Sequence, residues 1–269
     1  MPTPICRKPA RRATEADMGL RAALPTLLLT LLAGCVGSGS SDPLQSGKGR
    51  EEARQAYVQL GLGYLQQGLT ERAKVPLKKA LELDARDPAA NAALALVFQR
   101  EDEPALAEGY YRKALAANPD DPRIRNNFGS FLYAQGRYAQ AQQMFRQAAA
   151  DTLYPERSRV FENLGLTAIK LGQREQAREH LQKALRLNQQ QPRALLEMAE
   201  LSYEDRHYVP ARDYYDRFSQ LSDHGPRSLL LGSRLATVFE EPDKAAELGV
   251  QLQRLYPGTP EYQQYLSEQ

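Results

Sequence analysis

Between Arg54 and Thr259 the chain repeats itself six times with a period of about thirty-four residues. A small residue fills the eighth slot of every copy (Gly61, Ala95, Gly129, Gly165, Ala199, Ser233), and an alanine fills the twentieth (Ala73, Ala107, Ala141, Ala177, Ala211, Ala245). Small side chains recurring at these slots mark where two antiparallel helices touch. One such hairpin is too small to bury its apolar face alone, so neighbouring copies must stack. The copies run near 54–87, 88–121, 122–155, 158–191, 192–225 and 226–259.

This period and these contact slots resemble the tetratricopeptide repeat. The resemblance implies an all-α fold over residues 51–269, a right-handed superhelical solenoid of about six helical hairpins. Chain breakers agree with it: Gly68, Gly136 and Gly172 fall between the two helices of their repeats, and Pro88, Pro122, Pro192 and Pro226 open the next first helix. Slots four, seven, eleven and twenty-four carry the core stripe, with Tyr57, Leu60, Tyr64 and Leu77 in repeat one. Pro76 lies inside a helix, where a local kink is expected. Asp151 to Arg157 adds two residues to repeat three, which predicts a longer connection. Phe218 and Leu252 replace alanine at slot twenty-seven, so the C-terminal third is expected to pack differently.

The N-terminus carries the second feature. Arg21 precedes an apolar run, Ala22 to Ala33, too short to span a bilayer, and Leu32-Ala33-Gly34-Cys35 follows. Residues 1–34 read as a secretory signal, and Met18 reads as the true start because residues 1–17 are unlike a signal n-region. Leu-Ala-Gly-Cys resembles the bacterial lipoprotein box, which implies a diacylglyceryl group and a fatty acyl chain such as palmitate on Cys35. Several acyl chains anchor a protein stably where one holds only marginally. Val36 after that cysteine resembles lipoproteins carried on to the outer membrane. Residues 35–50, rich in glycine and serine, are expected to form a flexible tether on its periplasmic face.

Of the 269 residues 25% are charged and the net charge is +2, which gives no field for nucleic acid. The three histidines, His180, His207 and His224, lack metal-ligand spacing, and no glycine-rich phosphate loop or nucleophile elbow is present. The reading is therefore a protein that is not an enzyme, with no metal, no small-molecule substrate and no cofactor besides the lipid on Cys35.

Its surface is the place to look for function. In such a solenoid the first helices line the inner face through slots two, five, six, nine and twelve. Repeats one and two put Val58, Leu62, Leu65 and Leu96 there, an apolar patch suited to an amphipathic or extended partner segment, or else covered by the chain's own tether or second repeat. Farther along come Arg123, Asn126, Asn127, Ser130, Tyr133, Arg159 and Asn163. Slot two is arginine in repeats three to six (Arg123, Arg159, Arg193, Arg227). Cations are disfavoured at helix N-termini, so the row is expected to hold carboxylates or carbonyls, either of a bound peptide or of acidic neighbours such as Glu162. The row is similar to the carboxylate clamp of chaperone-binding tetratricopeptide domains, but Asn126 and Ser130 stand where the clamp has lysine and asparagine.

Longer words of the sequence are more specific. NNFGSFLYAQGRY from Asn126, LYPERSRVFENLGL from Leu153, YVPARDYYDRF from Tyr208, RSLLLG from Arg227 and RLYPGTPEYQ from Arg254 closely resemble the type IV pilus biogenesis lipoproteins of the PilF/PilW family. That resemblance implies a pilotin, an outer-membrane lipoprotein that binds the pilus secretin subunit and promotes its localisation and multimerisation. The other reading is a general periplasmic scaffold lipoprotein that recruits cell-wall enzymes.

Overall fold

The computed structural model describes residue 44 and residues 46–268. The chain divides into two units, residues 1–52 and 53–269. Of the first, the described part is Leu44 and the turns that open the first helix. The expected signal segment, Cys35 and most of the tether lie outside the described residues. Among the described residues there are thirteen helices and no strand, and no helix is long and apolar enough to cross a membrane.

The helices pair into hairpins: α1 (Gly47–Gln66) with α2 (Thr70–Leu83), α3 (Pro88–Arg100) with α4 (Pro104–Ala117), and α5 (Pro122–Ala134) with α6 (Tyr138–Ala150). There follow α7 (Arg157–Lys170) with α8 (Arg174–Leu187), α9 (Pro192–Glu204) with α10 (Tyr208–Ser219), and α11 (Pro226–Val238) with α12 (Pro242–Leu255). A short α13 (Pro260–Ser267) closes the array. Within unit 53–269 each hairpin stacks on the next.

Local chemistry sets the boundaries. Asp87 and Asp121 cap α3 and α5, Asp121 accepting from the backbone N–H of Arg123 at 2.8 Å and of Ile124 at 3.2 Å. The fifteenth slot of every repeat is left-handed: Gly68, Gly136 and Gly172, and also Asp102, Arg206 and Glu240 at φ 56°, 59° and 58°. The hairpin turn demands that conformation whether or not glycine supplies it. Helix α2 runs through Pro76 without a break.

The core forms where a small slot-eight residue admits a large slot-twenty-four side chain. A Cβ on Gly129 would lie 2.7 Å from Phe145 Cε1, and one on Gly165 would lie 2.6 Å from Leu181 Cγ. Glycine at these positions lets the second helix lie close against the first. Between repeats, slot seven of one hairpin packs on its predecessor, as Phe128 does on Tyr111 with ring centroids 5.2 Å apart. Leu60, expected in the core at slot seven, is instead 49% exposed. Its helix belongs to the first hairpin, so no preceding repeat stands among the described residues to cover it. At the other end Phe218 and Leu252 are both buried, and Leu252 packs with Tyr256, Tyr262 and Tyr265. Aromatic side chains of α13 thus cover the last hairpin where a seventh repeat would stand.

Candidate functional site: the inner face of the solenoid

The first helices carry three kinds of surface in sequence. In repeats one and two, Leu62 and Leu96 are half-buried and remain partly open. Val58 and Leu65, expected beside them, are core residues, each only 4% exposed. Val58 packs with Ala80 and Ala90, and Leu65 with Ala93, Leu94 and Val97 of α3. The second repeat covers them, because slots five and twelve of repeat one face the adjoining first helix. The open apolar patch is therefore narrower than the sequence implies.

Repeats three and four present amides. Asn126, expected to line the groove, is 4% exposed and lies beneath it, its Oδ1 accepting from Asn163 Nδ2 at 3.1 Å. This bond ties α5 to α7. Ser130 donates from Oγ to the carbonyl of Asn126 at 3.0 Å. Asn127, Asn163 and Tyr133 are half-buried, and Tyr133 meets the ring of Tyr138 edge-on at 5.2 Å. Burial pushes the Tyr133 hydroxyl up from its ordinary value.

Repeats five and six present charge. Arg227 reaches back to Glu197 at 3.0 and 3.1 Å and also bonds Glu200. Burial pushes Glu200 up despite the pull of Arg227, whereas the two carboxylates outweigh burial at Arg227 and hold its guanidinium above the usual range. Arg234 pairs with Glu268 across one period. At Glu162 burial raises the carboxyl, while Arg193, the nearby backbone N–H of Ala194 and Arg159 pull it down.

The arginine row is thus answered largely from within. Arg123 pairs with Asp121 at 3.1 Å, Arg159 with Glu156 at 2.9 Å, and Arg227 with repeat five. Asp121 holds the Arg123 guanidinium above its ordinary value. Of the two occupants the sequence left open for these arginines, the chain's own carboxylates take most. Sequence reasoning missed Glu197, Glu200 and Arg234. The signal was present in the spacing, since Arg227 stands 30 and 27 residues from its two partners, close to one repeat, which brings inner-face slots of adjacent hairpins together.

Two recesses interrupt this face. One of about 520 Å³ lies among Arg159, Glu162, Gln191 and Arg193. The other, about 300 Å³, lies among Tyr203, Arg227, Leu230 and Arg234. Among the described residues no group of three or more histidine, cysteine or acidic side chains could hold a metal ion. The arrangement offers apolar contact, amide hydrogen bonds and fixed charge along an extended surface, which suits recognition of a polypeptide.

Family models described as tetratricopeptide repeat match residues 58–122, 120–190 and 162–226. The chain is 58% identical over 251 residues to "Type IV pilus assembly protein PilF" of Pseudomonas aeruginosa, covering 93% of this chain and 100% of that protein. A solved structure of P. aeruginosa PilF superposes with a TM-score of 0.81 at 59% identity, over 82% of this chain and 100% of that one. The structure of PilW, described as a widely conserved type IV pilus biogenesis factor, superposes with a TM-score of 0.69 at 28% identity, over 79% and 98%. The fold is the right-handed tetratricopeptide solenoid. With relatedness that runs the full length of PilF and includes the connections between repeats, the chain belongs to the family of the type IV pilus assembly protein PilF.

Proposed function

We propose that this protein is a pilotin of type IV pilus assembly, a lipoprotein held by Cys35 on the periplasmic face of the outer membrane that binds the secretin subunit and promotes its localisation and multimerisation. The observation that carries the reading is the 58% identity to PilF over all of that protein's length. The graded inner face supports it, since an unassembled secretin subunit offers extended, aggregation-prone segments. Anchoring the groove at the membrane raises the effective concentration of client and site together.

Membrane fractionation tests it. With the wild-type protein, secretin oligomers are expected in the outer membrane; with Cys35→Ala, secretin is expected as monomers in the wrong membrane. Unchanged assembly would sink the reading. The groove is tested separately by Leu62→Asp combined with Leu96→Asp, which is expected to weaken secretin capture at unchanged far-UV helicity. A scaffold for cell-wall enzymes would instead co-purify those enzymes and leave secretin assembly unaltered.

A further inference from the structure

Repeats one to two, two to three and four to five are joined by four residues each, 84–87, 118–121 and 188–191, but repeats three and four are joined by six, 151–156. The other six-residue link, 220–225, follows a shortened α10 of twelve residues. Helix α6 is thirteen residues long, one short of the fourteen of α2, α4, α8 and α12, but the period from repeat three to repeat four is 36 residues instead of 34, so two inserted residues build something new.

What they build is held in place. Asp151 Oδ1 accepts from the backbone N–H of Leu153 at 2.9 Å, the N–H of Arg157 bonds the carbonyl of Tyr154 at 3.1 Å, and Arg157 Nε bonds the carbonyl of Ala149 at 2.9 Å. Tyr154 turns inward and is 9% exposed. Leu153 turns outward and is 88% exposed, more than any other large apolar side chain among the described residues. Nothing in the core uses it, and a polar residue would serve the turn equally well.

Beside this leucine lies a hollow of about 570 Å³ with Pro122, Tyr154 and Pro155 in its wall. Its rim holds four carboxylates, Asp120, Asp121, Asp151 and Glu156, against one lining guanidinium, Arg123. Arg125 and Arg159 answer Asp120 and Glu156 from outside the hollow. Asp151 has no cation within ion-pair reach among the described residues. A projecting apolar side chain, an adjoining hollow and one carboxylate without an ion pair, Asp151, held in place by backbone hydrogen bonds, make a pre-organised contact.

We propose that the 151–156 connection is a second docking point, at the edge of the inner face, for a client segment in which an apolar side chain is flanked by lysine or arginine. The apolar side chain enters the hollow against Leu153, and a flanking cation meets Asp151, the rim carboxylate that Arg123, Arg125 and Arg159 leave unpaired. This rests on the reading that the client is the secretin and adds a site to it.

The experiment uses the full lipid-anchored chain in membranes with the secretin, carrying a photo-crosslinking amino acid either at position 153 or at position 62. Crosslinking from both positions is expected, with the adduct from 153 mapping to an apolar residue between basic ones. Crosslinking from 62 alone overturns the second site and leaves the pilotin reading standing; crosslinking from neither overturns both. An adduct from 153 to an acidic segment, or only to another copy of this chain, also overturns the proposal. In a binding assay with purified secretin, Leu153→Asp is expected to weaken affinity roughly tenfold or more. Asp151→Asn, which keeps the acceptor for Leu153, is expected to weaken it less and to flatten its salt dependence. Wild-type affinity for Leu153→Asp, at unchanged helicity, refutes the site.

Discussion

His224 sits between two rings, its own 5.7 Å from Tyr215 and 5.8 Å from Phe218, with Nδ1 3.4 Å from the Tyr215 hydroxyl. Its carbonyl accepts from Tyr256 at 3.2 Å, so the link between repeats five and six is fastened at this residue. Burial holds its imidazole below the ordinary 6.5, and burial also pushes the Tyr215 hydroxyl up to about 12. A histidine that binds its proton less readily when folded contributes stability that is fully present above the unfolded value and is lost as pH falls through 6.5 toward the folded one. His180, lowered by burial in the same direction, adds to this. Melting temperature is therefore expected to fall between pH 7.5 and 5.5, and the slope to flatten in His224→Gln. An unchanged slope would place the sensitivity elsewhere. In the sequence the three histidines show only that they are too far apart to bind metal together. His207 is exposed, whereas His180 and His224 are half-buried against rings that no local spacing reports.

At the scale of elements, the hairpin is legible almost completely. Small slot-eight residues admit Leu77, Phe145 and Leu181, and the slot-fifteen turn is announced by glycine in three repeats. In the other three the same turn is made by Asp102, Arg206 and Glu240, where the stacked helices impose a conformation their residue types disfavour. The terminal helix α13 was not legible as a cap, because eight residues with no buried side chain of their own look like a tail. Its rings nevertheless cover the last hairpin: a Cβ on Gly249 would run into the hydroxyl of Tyr265, and Tyr262 packs on the cluster of Leu229, Leu248 and Leu252. Tyr265→Ala is expected to cost roughly 2 kcal/mol, less than the 3–5 of a fully buried ring because Tyr265 is only half-buried. Hydrogen exchange should rise first in α12. A rise spread evenly over all hairpins would show that α13 does not act as a local cap.

For the whole molecule, stability is the sum of hairpins and the interfaces between neighbours. Tyr111 is fully buried at one such interface, its ring 5.2 Å from Phe128 and 5.7 Å from Phe131, with its hydroxyl donating to Gln99 at 3.0 Å. Tyr111→Ala is expected to cost about 3–5 kcal/mol and to weaken the joint between repeats two and three. Calorimetry is then expected to show two transitions in the variant and one in the wild type. A single transition, merely shifted, would mean the array is more cooperative than nearest-neighbour coupling allows. The inner face follows the same nearest-neighbour rule: Arg227 is satisfied by repeat five and Asn126 by repeat four. What the sequence by itself determined was the period, the paired helices, their turns and the family, because each depends on residue type at fixed separation along one chain segment. Only the tertiary structure decided that Val58 and Leu65 are covered, that most of the slot-two arginines meet carboxylates of their own chain, and that Leu153 stands free. Helical periodicity assigns a side chain to a face, but what lies against that face depends on a neighbouring hairpin roughly a full repeat away.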